Sequence, residues 1–252
     1  MTETLHASES NRIAWNVEQF RCTGFPTPTF KAAAPSLFQV LTGTEPAKLT
    51  IDNVRNVATA EGNYHNVKLV VATAPNRVDV LFTAPGVAPT PNFRVLGTFE
   101  DAVPMVKELM ERWFSTAPSL QRFAFAAVLL KDVVDRIDGY KKLQQFLPNL
   151  KLDPENSLGL VYRINRPRLV RIDSLNLTIN RVSRWTVARK WFQQVVPPTS
   201  AESAPPTWAC RLELDINTAV EHVDEFSRDS LSQLFGKLLD FGIEIAERGD
   251  IP

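Results

Sequence analysis

The residues with the clearest capacity for chemistry lie in a basic stretch, residues 162–191, where arginines are interleaved with aromatic side chains. Asp173 is its single acidic residue, and Trp185 and Trp191 lie among the cations. Guanidinium groups bind phosphates through paired hydrogen bonds, and an indole ring can stack on a base. The candidates for binding a phosphate or a partner are Arg163, Arg166, Arg168, Arg181, Arg184 and Trp185.

The same stretch has a second interpretation, in which its arginines form ion pairs within the chain or between subunits. Residues 211–250 are acidic by a similar amount, and the whole chain is neutral, with 28 basic and 28 acidic residues. The tripeptide Ile-Asn-Arg occurs at 164–166 and at 179–181, on either side of Pro167, so a hairpin would bring the two copies nearly opposite each other. We expect ion pairing, because a neutral chain must balance this local charge.

A second group that could do chemistry surrounds His222. Carboxylates beside an imidazole can orient it and raise its pKa, as general acid-base catalysis requires. Acidic residues also gather at helix N-termini, and Thr218 with Glu221 fits a capping box. The start of a helix is the favoured interpretation, since no nucleophile accompanies the cluster. The acidic members are Glu221, Asp224, Glu225 and Asp229.

Motifs of the common enzyme classes are absent from the sequence. It contains no G-x-G-x-x-G, no Walker A run, no G-x-S-x-G and no H-E-x-x-H. The three histidines have no Cys or His partner at metal-ligand spacing. We therefore predict no metal and no cofactor.

Length and composition are those of an ordinary globular protein. The 252 residues are 44% hydrophobic, which suffices for the core of one large or two small domains. The N-terminus lacks an apolar signal region, and no apolar run approaches the ~20 residues that span a bilayer. Cys210 lies on the apolar side of a predicted strand, which indicates a buried thiol. We expect a cytoplasmic protein without a membrane span.

The clearest structural pattern lies near the C-terminus. Apolar residues alternate with polar ones from Trp208 to Ile216, which predicts a half-buried strand. Leucines and phenylalanines then recur at helical spacing up to Ile245, and Gly249 follows as a stop signal, which predicts a helix packed on the sheet. From Phe123 to Leu130 the stretch 122–130 is apolar at both strand parities, which is typical of a central strand covered on both faces, with a buried helix segment as the alternative.

The remaining elements suggest two similar halves. Residues 23–35 are predicted to form a loop, and helices are predicted after Thr98 and near Asp138. Further strands are predicted at 13–20, 48–57, 67–72, 78–83, 158–164 and 175–187. We predict an α+β fold with an antiparallel or mixed sheet, in which two similar strand-rich modules each end in a helix packed on the sheet. A flexible leader (1–12) precedes the first module (13–117) and the second (118–252), which share one sheet or pack sheet to sheet.

These patterns favour a non-enzymatic interaction protein of bacterial type, either self-associating or acting as an adaptor or accessory subunit of a larger complex. The expected partner is a protein or a second copy of the chain, with no membrane. The alternative is a nucleic-acid-binding accessory factor that uses the arginines and tryptophans of residues 162–191. A third hypothesis is an enzyme with an acid-base site near His222.

Overall fold

The α+β prediction is confirmed. A computed structural model of the chain describes residues 14–27, 33–86, 93–117, 119–190 and 206–251. The predicted flexible leader at 1–12 and Trp191 lie outside this part. Within these ranges ten strands form one antiparallel sheet, against which four helices pack.

The two halves of the chain contribute equally to this sheet. The first half contains β1 (Asn16–Pro26), α1 (Ala34–Thr42), β2 (Lys48–Asp52), β3 (Val57–Tyr64), β4 (Val67–Ala74), β5 (Arg77–Thr83) and α2 (Phe99–Thr116). The second half contains β6 (Leu120–Val133), α3 (Arg136–Phe146), β7 (Val161–Asn165), β8 (Arg168–Ile172), β9 (Leu175–Lys190), β10 (Thr207–Thr218) and α4 (Arg228–Arg248). The strand order is β2-β3-β4-β5-β1-β6-β10-β9-β7, and β8 also pairs with β9. The pairing of β1 with β6 therefore joins the halves into one continuous sheet.

The helices pack on one face of the sheet, which we call the helix face. Phe123 and Phe125 of β6 contact Phe235 of α4, with ring centroids 5.9 and 6.2 Å apart, and Trp113 of α2 lies 5.8 Å from Phe123. The strand register aligns one row of residues on this face across seven strands: Gly62, Leu69, Phe82, Phe20, Ala127, Leu214 and Ser183. Period-two alternation places the intervening residues on the opposite face, which we call the open face.

The ends of the two longest helices follow the predicted signals. The Thr98 hydroxyl oxygen accepts a hydrogen bond of 3.2 Å from the Asp101 amide at the start of α2. Gly249 ends α4 with a φ of 79°, and a Cβ at this position would lie 2.1 Å from the Phe146 carbonyl oxygen. Asp250 then donates its backbone N–H to that oxygen at 2.8 Å, which fixes the end of α4 beside α3.

Three local predictions are wrong. The predicted loop at 23–35 contains the end of β1 and the start of α1, in which Pro35 lies in the first turn, where a missing N–H breaks no helical hydrogen bond. The predicted strand at 48–57 is two strands, β2 and β3, joined by a turn. The stretch 122–130 does form the central strand β6, but the helices cover only one of its faces, and Ala124 and Ala126 are partly exposed on the other.

No helix within the described ranges is both long and apolar enough to cross a membrane. Both cysteines are buried free thiols, as the strand pattern predicts for Cys210. Burial raises the pKa of Cys210 to about 12, and the pKa of Cys22 is raised by burial as well.

Candidate functional site

The basic stretch forms one edge of the sheet. Strands β8 and β9 make a hairpin that reverses at Asp173, whose φ is 51°, and β7 continues the line of β8 along β9. Pro167 therefore interrupts an edge strand and does not make the reversal. The two Ile-Asn-Arg runs do lie side by side, since Asn165 Nδ2 donates to Asn180 Oδ1 at 3.0 Å.

Arg166 forms a two-pronged ion pair with a buried carboxylate beyond the end of α4. Its Nε and Nη2 lie 3.0 Å from Oδ1 and Oδ2 of Asp250, and the Tyr162 hydroxyl donates to Oδ2 at 2.6 Å. The side chain of Asp250 is only 3% exposed. The hydrogen bond from Arg166 lowers the pKa of Asp250, so this carboxylate ties the C-terminal end of α4 to β7.

Arg168 and Arg181 share a second carboxylate on α4. Each guanidinium has a nitrogen 3.0 Å from Oε2 of Glu244, and both lie over the Phe241 ring, 5.4 and 5.0 Å from its centroid. Arg181 is on the helix face and is 2% exposed. Desolvation lowers its pKa, with the Glu244 charge acting in the opposite direction. Arg181 is thus part of the packing between α4 and β9.

The two candidates on the open face differ in their pairing. Arg184 lies 3.1 Å from Glu213, whose carboxylate also receives Arg211 at 2.9 Å. Arg163 is exposed on β7 and makes no ion pair with a described residue. The acids paired with Arg166, Arg168, Arg181 and Arg184 are Glu213, Glu244 and Asp250, all within residues 211–250.

Trp185 cannot stack on a base in this structure. It is 0% exposed and packs in the core against Phe146, with ring centroids 5.5 Å apart and an angle of 24° between the rings. Its indole N–H donates to Ser183 Oγ at 3.0 Å. The interpretation of Trp185 as a binding residue is therefore corrected: Trp185, like Arg181, lies on the buried face of β9.

The open face presents a long row of small, apolar and charged side chains. None of the described helices covers it. The register aligns residues from nine strands: Lys48, Glu61, Val70, Leu81, Arg21, Ala126, Asp215, Val182 and Asn165. The four apolar members are all partly exposed. Most charges on this face are paired within the chain, as in Lys68 with Glu61 at 2.7 Å and Arg77 with Asp79 at 2.6 Å.

Two arginines on the central strands are exceptions to this pairing. Arg21 of β1 and Arg122 of β6 form no ion pair with any residue in the described ranges, and the buried Nε of each has no hydrogen-bond acceptor. Arg122 lies 4.7 Å from the centroid of the Phe25 ring, and Arg21 is opposite Ala126. Sequence reasoning missed both arginines. The available signal was alternation: Arg21 follows the buried Phe20 and Arg122 precedes the buried Phe123, so both arginines point to the face opposite the core.

Of the cluster around His222, only Asp229 lies in the first turn of a described helix, α4, and the other members precede the helix start. Helix α4 begins later, with Ser227 as its N-cap, and Thr218 is buried at the end of β10, where its hydroxyl accepts from the Phe123 amide at 3.1 Å. The imidazole stacks on Phe226 at 4.7 Å, and no described side chain hydrogen-bonds to it. The capping prediction is wrong, and the acids at 221, 224 and 225 are exposed in a loop.

An apolar groove of about 700 Å³ lies on the helix face between α2 and α4. Trp15, Phe99, Val103 and Ile243 contribute to its walls. The Trp15 N–H already donates to the Ala246 carbonyl at 2.8 Å, so it is not free to orient a ligand. Within the ranges described, no three His, Cys, Asp or Glu side chains cluster in a way that could hold a metal ion.

No protein-family model matches the sequence. A search of curated proteins likewise found no match. Functional inference therefore rests on the geometry above.

Proposed function

We propose that the chain is a non-enzymatic interaction protein, an adaptor or accessory subunit, that binds an acidic protein surface with the open face of its sheet. The observation that carries this proposal is that two arginines, Arg21 and Arg122, form no ion pair with a described residue and lie on the two central strands, on a face that none of the described helices covers. An unpaired guanidinium on a largely neutralised surface is complementary to a partner carboxylate.

The composition of the open face favours a protein over a nucleic acid. Leu81 and Ala126 lie opposite Arg21 and Val70 lies opposite Leu81. All three are partly exposed, and protein interfaces combine such apolar area with arginine. Glu61 and Asp215 lie in the same cross-strand row and would repel a continuous line of phosphates. Of the arginines predicted to bind phosphates, Arg166, Arg168, Arg181 and Arg184 are paired with the chain's own acids, whereas the exposed Arg163 makes no ion pair with a described residue.

We also propose that the sheet is built from two similar modules, 13–117 and 118–252. Each half contains, in order, one strand, one helix, four strands and a final helix. In each half the first strand also forms a β-bridge with a residue just before the final helix. Asn16 of β1 bridges Thr98 before α2, and Leu120 of β6 bridges Phe226 before α4. The two buried free thiols support a reducing, cytoplasmic setting.

The open face can be tested with a photoreactive amino acid at Ala126, in the chain expressed in its native cells. The expected result is a covalent adduct with a protein, which is lost in the double variant R21E/R122E. The matched control carries the same photoreactive group at Lys237, an exposed residue on the helical side, and should give no such adduct. Melting of R21E/R122E close to the parent temperature shows that the loss is not unfolding.

Fluorescence anisotropy with mixed-sequence oligonucleotides addresses the alternative. We expect no submicromolar binding at physiological ionic strength. Salt-sensitive oligonucleotide binding that R21E/R122E abolishes would replace the protein partner with a nucleic acid, because each neutralised phosphate releases counterions. Absence of an adduct at position 126 with the parent chain would overturn the proposal outright.

A further inference from the structure

The free edge of β2 differs from the opposite edge of the sheet. Strand β2 pairs only with β3 in the described part of the chain, so its outer N–H and C=O groups have no strand beside them. Leu49 and Ile51 are 47% and 59% exposed, although their parity is that of the helix face. Helix α1 packs over β3 and β4 and leaves these two side chains uncovered. Exposed apolar edge strands are templates for pairing with another chain.

The sequence of β2 is complementary to itself when two copies run antiparallel. With the twofold axis at Thr50, Lys48 lies opposite Asp52 of the second copy, and Leu49 lies opposite Ile51 of the second copy. All five residues of the strand are then paired, with opposite charges on one face and apolar side chains on the other. Opposite charges and apolar residues placed directly across two strands each stabilise the pairing.

The other edge of the sheet lacks this complementarity. The same operation on β7 would place Arg163 directly opposite Arg163 of the second copy, which is destabilising. Pro167 interrupts the line from β7 to β8. A charged residue and a proline on an edge strand are two ways in which natural proteins prevent pairing with another strand. The helix-face side of β8 is also occupied, since Arg168 pairs with Glu244 of α4.

We infer that β2 is a self-association edge, where a second copy of this chain pairs antiparallel about Thr50 and extends the sheet through a twofold axis. This axis is perpendicular to the sheet, so the helix faces of both copies lie on the same side and their open faces also form one surface. A twofold pairing closes on itself, so the product is a dimer and not a fibre. The inference extends the proposed function, because the dimer would present two sets of Arg21 and Arg122.

Register-specific cross-linking tests the axis directly. The variant T50C should form a disulfide-linked dimer under mild oxidation, because directly opposed residues in an antiparallel pair lie within disulfide reach. V54C is the matched control: this residue is 93% exposed but lies four positions from the axis, so its two copies are far apart and should not cross-link. The native Cys22 and Cys210 are buried and should not interfere.

Light scattering over a dilution series measures the association without cross-linking. We expect a concentration-dependent dimer, and we expect L49K/I51K to raise its dissociation constant about tenfold or more, since lysines would face lysines across the axis. V54K should leave the dimer unchanged. A chain that stays monomeric at every concentration, or a dimer that L49K/I51K does not weaken, would overturn the inference.

The two proposals fail separately. L49K/I51K should retain the photo-adduct at position 126, and R21E/R122E should retain the dimer. Loss of the dimer in R21E/R122E with β2 intact would place the self-association surface on the open face and refute the β2 edge.

Discussion

The shared ion pair between α4 and β9 predicts an asymmetric response to removal of its two partners. Glu244 is 22% exposed at the side chain, whereas the Arg181 side chain is 1% exposed. In E244Q the buried guanidinium keeps its charge but loses the acid that compensates it. Removal of one partner of a buried pair costs about 3–5 kcal/mol, and we expect about 3 kcal/mol here because the partial exposure of Glu244 lets water compensate in part.

The reverse substitution should be mild. R181M removes the buried charge and keeps an unbranched side chain of similar length, while Glu244 retains Arg168 at 3.0 Å. We expect R181M to stay within about 1 kcal/mol of the parent, and R181M/E244Q to be close to R181M and not to the sum of the single variants. The free energy of unfolding from urea titration measures all three.

The matched control is an exposed ion pair on the same helix. Lys237 and Asp240 are 48% and 63% exposed and lie 3.7 Å apart, so D240N should change stability by less than about 1 kcal/mol. If E244Q costs no more than D240N, or if R181M costs as much as E244Q, the pair is not a buried structural contact. The basic stretch would then be available to an external partner.

Three further predictions concern burial and charge. Hydrogen bonding from Arg166 lowers the pKa of Asp250 in the folded state. The Asp250 carboxylate therefore stabilises the fold above about pH 4, and this stabilisation is lost as the pH falls through the lowered pKa. In D250N the urea midpoint of unfolding should depend less on pH in this window. L214D should cost several kcal/mol of unfolding free energy because Leu214 is 2% exposed, whereas L169D, at 78% exposure, should stay within about 0.5 kcal/mol; equal losses of melting temperature would refute the assignment of the two faces. Thiol titration should detect Cys22 and Cys210 only after denaturation, and rapid reaction of either in the native protein would contradict its burial.

Alternation along single strands located most of the sheet, although it merged β2 with β3 and missed β8. Leu212, Leu214 and Ile216 are each 2% exposed or less, because a strand with helices on one side must place its apolar residues on that side. The short helix α1 escaped prediction for a physical reason. Nine residues give too few turns for a periodic pattern, and Pro35 in its first turn resembles a loop signal.

The pairing of distant charges could not be predicted residue by residue. Arg181 and Ser183 share the buried parity of Ile179, yet nothing local indicates that Glu244, 63 positions later, neutralises the arginine. The same limitation explains the wrong prediction for Trp185, because a tryptophan between arginines looks alike in the sequence whether it is buried in a core or exposed on a binding surface. Neutrality between residues 162–191 and 211–250 was the available signal, and the ion pairs to Glu213, Glu244 and Asp250 give it a structural basis.

The net charge of zero thus reflects pairing between neighbouring charges, and this pairing determines which arginines are available to a partner. Glu213, Glu244 and Asp250 pair with four arginines of the edge formed by β7, β8 and β9, and short-range pairs neutralise most of the open face. By contrast, Arg21 and Arg122 form no ion pair with an acid in the described part of the chain, and they lie on the two strands that join the halves of the sheet. A partner attracted by charge would thus be directed to the centre of the open face, not to the most arginine-rich part of the sequence.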